Sequence, residues 1–576
     1  MTALLCATLV SLCACKPAPE QAALIDAADG AQSYASIVAL NGGIYTVDDT
    51  RPWVQALAVN DGSIVGLGTN EEMQSWIGPQ TRVIDLTGKM LLPAFHDAHV
   101  HPISSGRTML GCALDNEDSI DSLLATFAAC AQNTDELWVQ GLDFNLGLFP
   151  GGNPHKALLD KILPDRPAYL IAADGHSSWV NSRALQIAGV DASTPNPPKG
   201  VIERDSVTGE PTGTLRESAQ YLVSKLLPKP SLDENMAALR VALAHMHSMG
   251  ITSFIDAAVG ESAWQTYHAL DELGELQARV TTSLTYGAFS ESEDDASFDA
   301  VLARRQDYAS PRLRTDAIKL FMDGVLEGET AALLSPYLGS PGGVGELNFS
   351  QDDLQRNVSR FVEMGLQIHM HAIGDRAVRA GLDAIEAAQT QHGKTDVRPH
   401  IAHLQLVHPD DLPRFKALGV SANFQALWAY PDEYITQINL PAVGPERVER
   451  MYPIGSLARA GARIVGGSDW SVSSVNPLPA IEVAVLRQDP LGHKPGVLNA
   501  KEAVDLASMI VAYTRNAAYL MHQEDSTGMI AVGMRADLIT LDRNLFEIPR
   551  EDISEARVLL TLFDGEPVYE APAGSE

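Results

Sequence analysis

Between Leu92 and Met521 the chain repeats one unit, a short apolar run followed by an amphipathic helical stretch. Ala168–Ile171, Ile251–Ile255, Ala317–Phe321, Leu366–His369, Arg398–Leu404 and Arg463–Gly466 are the runs; Glu234–Met249 and Gln351–Met364 are helical partners. Runs this short and continuously apolar fit strands buried on both faces, as parallel sheets require. Repeated β-then-α units of this number predict an α/β fold, a (β/α)8 TIM-like barrel rather than an open sheet. No glycine-rich dinucleotide fingerprint follows any of the runs, so a Rossmann sheet lacks its main support.

The two ends of the chain carry a different pattern. Ala56–Val59 and Ile64–Leu67 flank Asn60-Asp61-Gly62, a hairpin signal, and Val83–Leu86 meets Lys89–Leu92 around Thr87-Gly88. Strands at Leu538–Leu541, Val558–Leu562 and Pro567–Glu570 mirror them at the far end. One small β-sandwich domain built from 35–91 and 526–572 is expected, with the barrel occupying 92–525. Met90–Pro93 then carries the chain from one to the other, and the site is expected to open at that junction.

A net charge of −32, spread along the chain, argues against nucleic acid as a partner, because phosphate binding needs a basic face. Residues 1–15 read as a secretory segment whose Leu12-Cys13-Ala14-Cys15 resembles the lipobox of bacterial lipoproteins. Its apolar run is too short to span a bilayer. The expectation is export to the periplasmic side, a lipid anchor on Cys15 as the membrane contact, and a tether over 16–34. Cys112 and Cys130 are the cysteines left in the mature chain. They either pair in an oxidising compartment or stay as buried thiols.

His99-Val100-His101 follows the apolar segment Leu91–Ala94. In an extended strand, side chains at i and i+2 share a face, so both imidazoles can reach one ion. Alone, the pair is as well explained by two ordinary loop histidines. Further candidates end later strands. Lys319 sits inside an apolar run, where it needs either an ion-pair partner such as Asp323 or carbamylation by CO₂ into an anionic oxygen ligand. His369 or His371 follows Ile368, and His400 or His403 flanks Ile401. Asp469 follows Gly466-Gly467-Ser468 and is placed to act as general base on a metal-activated water. Independent strand-terminal coincidences at all of these positions are much less plausible than one site at the C-terminal mouth of a barrel.

With Pro93-Ala94-Phe95-His96-Asp97-Ala98-His99-Val100-His101, Lys319–Gly324, His371-Ala372-Ile373-Gly374-Asp375, Ile401-Ala402-His403, Gly467-Ser468-Asp469, Gly533–Leu538 and Asp174-Gly175-His176-Ser177 together, the chain resembles the metal-dependent amidohydrolase superfamily. It is most similar to the branch containing N-substituted formamide deformylase. The resemblance implies His99, His101, Lys319, His371, His403 and Asp469 as metal ligands, selecting His371 over His369. It implies one or two divalent ions, Zn²⁺ by the donor set, with carbamylated Lys319 as the bridge. Asp469 shuttles the proton, and His176, by our reading of its place after an apolar strand, hydrogen-bonds the carbonyl or oxyanion unless it is tied to Asp174. Ala402 stands where this branch often has Glu. The expected partner is a small amide-type substrate, N-acyl, N-substituted formamide or cyclic amide. The competing readings are a deaminase or an esterase or lactonase on the same barrel, and a non-catalytic ligand-binding lipoprotein. Phe144–Pro154 and Gln425–Tyr434, with Trp428 and Tyr430, are expected to line the pocket, and a homodimer is entertained as the assembly.

Overall fold

The structure, a computed structural model, describes residues 34–572 apart from 116, 293 and 341. The secretory segment, Cys15 and nearly all of the tether lie outside the described residues. Eight parallel strands form one sheet: β1 (Phe95–Val100), β2 (Ile251–Val259), β3 (Arg279–Tyr286), β4 (Leu313–Phe321), β5 (Gln367–Ala372), β6 (His400–His403), β7 (Ser421–Phe424) and β8 (Arg463–Gly466). β5, β6 and β7 are buried at every position, as an apolar strand covered on both faces must be. Past the strand ends, Asp469 N donates to His99 O at 2.7 Å and His101 N to Trp470 O at 3.0 Å, which draws β8 against β1 and closes the ring.

The covering helices follow from their sequences. In Gln351–Glu363 the buried Leu354, Val358, Phe361 and Val362 form one stripe, and Ser350 caps the first turn by accepting from Asp353 N. Ser231 and Glu234 form a capping box at the head of Leu232–Ser248, whose buried face packs on the barrel. Among the described residues no helix is long and apolar enough to cross a membrane.

Both chain ends build the second layer. Met90–Pro93 pairs with Gly43–Tyr45 on one side and Leu538–Leu541 on the other, inside a six-stranded sheet. A four-stranded sheet from the N-terminal segment alone packs on it through Ile37, Leu57, Val59, Leu538 and Leu562.

This sandwich touches the barrel at the starts of the strands. Ala94 N donates to Asp537 O at 2.9 Å, Arg279 at the head of β3 pairs with Asp537 at 3.1 Å, and Thr561 Oγ1 donates to His247 O just before β2. The mouth that carries His99 is at the opposite end, so the site does not open at the domain junction. About five residues of extended strand, on the order of 16 Å, separate the two.

What roofs the mouth is an insertion. Between β1 and β2 the chain forms a five-stranded mixed sheet from Val139–Phe144, Ala168–Ala172, Ser177–Val180, Gly200–Arg204 and Pro211–Glu217. Ala168–Ile171 therefore belongs to this sheet and not to the barrel. Its apolar pattern matches a buried strand of either kind, so spacing alone does not separate the two. Cys112 and Cys130 are joined by a disulfide at the base of the insertion, with their Cα atoms 5.8 Å apart.

Candidate metal centre

β1 ends with both imidazoles turned toward Asp469, which the last strand delivers. His101 Nε2 is 2.9 Å and His99 Nε2 3.4 Å from Asp469 Oδ1, and one ligand atom from each of the three lies within 4.8 Å of the others. His403, at the end of β6, faces the same carboxylate, with Nδ1 3.8 Å from Oδ2. That buried Nδ1 has no hydrogen-bond partner among the described residues. A buried nitrogen lone pair left unused is costly unless something else satisfies it, so the donor set fits a divalent cation.

The backbone at this point is bent out of the usual regions. His403 has φ 77° and Asp469 φ 56°, conformations that non-glycine residues hold at a cost of about 1–3 kcal/mol each and that cluster at functional sites. Asp97 braces the arrangement, its Oδ1 accepting from His99 N and Ser468 N at 3.0 Å each.

Lys319 is 1% exposed, with Nζ 3.4 Å from His99 Nε2 and 4.7 Å from the Phe321 ring centre. Asp323 is not its partner. That carboxylate instead accepts from Ala332 N, Ile373 N and Gly374 N and pins the segments following β4 and β5. Burial lowers the Lys319 ammonium to about 7, with Asp469 opposing the shift. A substantial fraction of neutral amine at physiological pH follows, the form that reacts with CO₂.

Burial, reinforced by Lys319 and the neighbouring rings, holds His99 and His371 neutral. Burial takes His403 to about 3, although Asp469 pulls the other way. Burial would raise Asp469, but the bond from His101 and the surrounding His403, His101 and Lys319 groups keep it below the usual carboxylate range. Neutral imidazoles beside an ionised carboxylate are the protonation states that ligate a metal.

The structure thus gathers His99, His101, Lys319, His403 and Asp469 tightly. His371 also faces the cavity, one ring further, 4.6 Å from His403 between centres, with Nε2 3.2 Å from Gly324 O. His369 lies beneath the site and not in it. Its Nε2 is 3.0 Å from His99 Nδ1, and its own Nδ1 is 3.0 Å from Ser283 Oγ, so it orients His99.

His176 comes from the insertion, not from a barrel strand. Its ring centre lies 5.1 Å from that of His371. Its side chain is not tied to Asp174, which caps the backbone of His176 and Ser177; Nδ1 instead bonds Glu217 Oε2 at 2.8 Å. Burial alone would depress this imidazole, but the Glu217 carboxylate outweighs it and lifts the pKa to about 9. His176 therefore presents a cationic donor to the cavity. Glu217 has no local signal in the sequence; its φ of 51° and its second bond, from Thr330 Oγ1 at 2.7 Å, mark it once the fold is known.

The cavity above these groups holds about 840 Å³. Leu427, Trp428, Tyr430 and Tyr434 line it, and Trp428 stacks on His403 with rings 5.5 Å apart and 5° from parallel. Phe144–Pro154 does not line it. Phe144 and Phe149 pack on Trp179 in the insertion's own core, and the adjacent Leu142 and Asp143 take the wall.

A parallel barrel with imidazoles and a carboxylate converging at its C-terminal mouth has the layout of a metal-dependent hydrolase. Residues 82–569 match the amidohydrolase family model, and the chain belongs to that family. It is 30% identical over 549 residues to Protein LONG AFTER FAR-RED 3 of Arabidopsis thaliana, covering 93% of this chain and 92% of that one. It is 27% identical over 544 residues to N-substituted formamide deformylase of Arthrobacter pascens, covering 93% and 98% respectively. Among solved structures, an uncharacterised metal-dependent hydrolase from Pyrococcus furiosus superposes with a TM-score of 0.67 at 26% identity, over 88% of this chain and 99% of that one.

Proposed function

We propose that this protein hydrolyses a C–N amide-type bond in a small molecule, with one or two zinc ions held by His99, His101, His371, His403 and Asp469 and by Lys319 as its carbamate. The observation that carries the reading is the convergence of two imidazoles and a carboxylate within 4.8 Å, beside a buried His403 Nδ1 with no hydrogen-bond partner among the described residues. Nitrogen and oxygen donors in this mix suit zinc. When bound, the ion supplies Lewis acidity, which makes water nucleophilic at neutral pH and polarises a carbonyl.

The protein's own groups do the rest. Asp469, ionised and at the head of the cavity, takes the proton of the attacking water and passes it to the leaving nitrogen. His176, kept cationic by Glu217, donates to the carbonyl oxygen as it gains charge. The similarity to N-substituted formamide deformylase favours amides over the deaminase and ester readings. So does Gly374-Asp375 following β5, where deaminases of this superfamily usually place Glu.

The test is a screen of N-acyl amino acids, N-substituted formamides and cyclic amides with zinc-loaded and chelated protein. Amide hydrolysis that vanishes on chelation and returns with zinc is expected. Turnover of esters or of amino-heterocycles alone would overturn the bond assignment, and absence of both bound metal and turnover would leave a binding protein. We further propose export with a lipid on Cys15, which the Cys112–Cys130 disulfide favours, since such bonds persist in oxidising compartments. Cys15→Ser should release the protein from the membrane fraction.

A further inference from the structure

Apart from the metal ligands, the cavity wall brings three carboxylates from separate segments together around Tyr434. Asp174 comes from the insertion, Glu327 from the segment after β4 and Asp432 from the segment after β7, and all three line the one cavity. One oxygen of each is fixed. Asp174 Oδ1 accepts two backbone N–H groups, Glu327 Oε1 accepts from Asn439 Nδ2 at 3.1 Å, and Asp432 Oδ1 accepts from Ile435 N at 2.8 Å. Asp174 Oδ2 is buried without a partner among the described residues.

None of the three is ion-paired among the described residues. Lys494, whose charge reaches Asp432, is paired with Glu433, and His176, which reaches Asp174 and Glu327, is bonded to Glu217. The other cations on the cavity wall sit elsewhere, Lys319 at the metal end and Arg107 facing Asn235. These half-buried carboxylates raise one another, against the charges of His176 and Arg216 on Asp174 and of Lys494 on Asp432. Burial and then Asp174 push Glu327 up, and burial and then Glu327 push Asp432 up to about 7.

A second observation points to a ligand. Gln405, on the same cavity wall, is 5% exposed, and its Oε1 is a buried acceptor with no partner among the described residues. Its backbone oxygen accepts from Tyr452 N and its side-chain amide meets the Tyr452 hydroxyl, which feels both Glu327 and Asp432; Gln405 thus sits beside the carboxylates with Oε1 left over. Tyr430 and Tyr434 complete the wall with ring faces. Unpaired carboxylates, an unused amide oxygen and aromatic faces are complementary to one kind of group, a desolvated nitrogen cation rich in N–H donors.

We infer that this wall is a subsite for a protonated amine or guanidinium on the substrate, formed by Asp174, Glu327, Asp432, Gln405 and the flanking tyrosines. The inference rests on the amide-hydrolase reading for its role in turnover, but not for binding. It makes the preferred substrate a cationic amide, whose hydrolysed bond sits at the metal end while its charged end occupies the acidic wall.

The probe is hexylguanidinium, which stays charged at working pH and has no basic lone pair for a metal, compared with its neutral isostere hexylurea by calorimetry on the metal-loaded protein. Hexylguanidinium should bind about tenfold tighter or more, and the difference should shrink toward unity in Asp432→Asn and in Glu327→Gln. Two separate variants are used so that poor folding of one leaves the other, with thermal melting as the check. Formamides ending in guanidinium should likewise exceed their urea analogues in kcat/KM by about tenfold.

Equal binding of the two probes, or a difference that survives both substitutions, would overturn the subsite. So would calcium chloride alone binding with the same dependence on Asp432 and Glu327, which would reassign the carboxylates to a metal. If no amide is turned over and hexylguanidinium still binds selectively, the hydrolase reading fails and the subsite stands. If amides are hydrolysed without preference for charge, the reverse holds.

Discussion

At the metal end of the cavity His99, His101, Lys319, His371, His403 and Asp469 belong to, or directly follow, strands of one sheet. At the acidic wall Asp174, Glu327, Gln405 and Asp432 come from an inserted domain and from three separate loops. A closed barrel fixes its strand ends relative to one another, so a group placed there keeps its geometry for any substrate. Loops and insertions have no such constraint, and their groups suit selection among substrates. The two ends should therefore respond to substitution in different ways.

The largest effect should come from the strand-borne acid. Asp469→Asn should lower kcat by about 10²–10⁴-fold for charged and neutral amides alike, in steady-state assays on a matched pair. A loss confined to one member of the pair would break the contrast. His176→Gln should cost about 10²–10³-fold in kcat, as loss of an oxyanion donor does. Glu217→Gln, which touches His176 and not the substrate, should cost a smaller share and shift the pH profile. Unchanged kcat/KM in His176→Gln would remove that role.

Below the metal end, His369→Ala should weaken metal affinity by about 10–100-fold in a chelator competition, through loss of the bond that orients His99. Unchanged affinity would show that β1 holds His99 unaided.

The smallest effect concerns neither end. Burial takes His247 down to about 4, and its Nε2 is 2.9 Å from Gln277 O under the sandwich. The unfolded chain protonates this imidazole near 6.5, so between about pH 6.5 and 4 the unfolded state binds more protons. Stability should fall as pH drops through that window, by up to about 1.4 kcal/mol per unit. Urea titrations at several pH values check this, and His247→Gln should flatten the slope.

The strand-borne half of the site was legible in sequence because each group follows an apolar run, and the fold then superimposes the run ends. His369 was visible only as an ambiguity in His-x-His, since strand alternation does not say how deep in the barrel a residue sits. Glu217 was not legible, because nothing near it in sequence marks a partner for His176. The sandwich was predictable from its turns, but of the two N-terminal signals only Asn60-Asp61-Gly62 joins paired strands. The expected pair around Thr87-Gly88 does not form, because that turn passes the chain between layers, Arg82–Asp85 pairing with Ile37–Leu40 in one sheet and Met90–Pro93 with Gly43–Tyr45 in the other. The position of the sandwich was not predictable, because pattern identifies which strand links two domains but not the end of the barrel to which the second one docks.

The seam between β1 and β8 has a consequence for how the protein comes into being. His99 and His101 are made early in synthesis, whereas Asp469 and its bond to His99 O arrive only after the insertion and seven further barrel strands. Contacts this remote in sequence make folding slow and late. A partly made or truncated chain thus carries histidines but no finished cage. An ion that prefers the finished cage would pull the ring shut by mass action, so metal supply in the compartment where the chain folds would set how much of the protein matures.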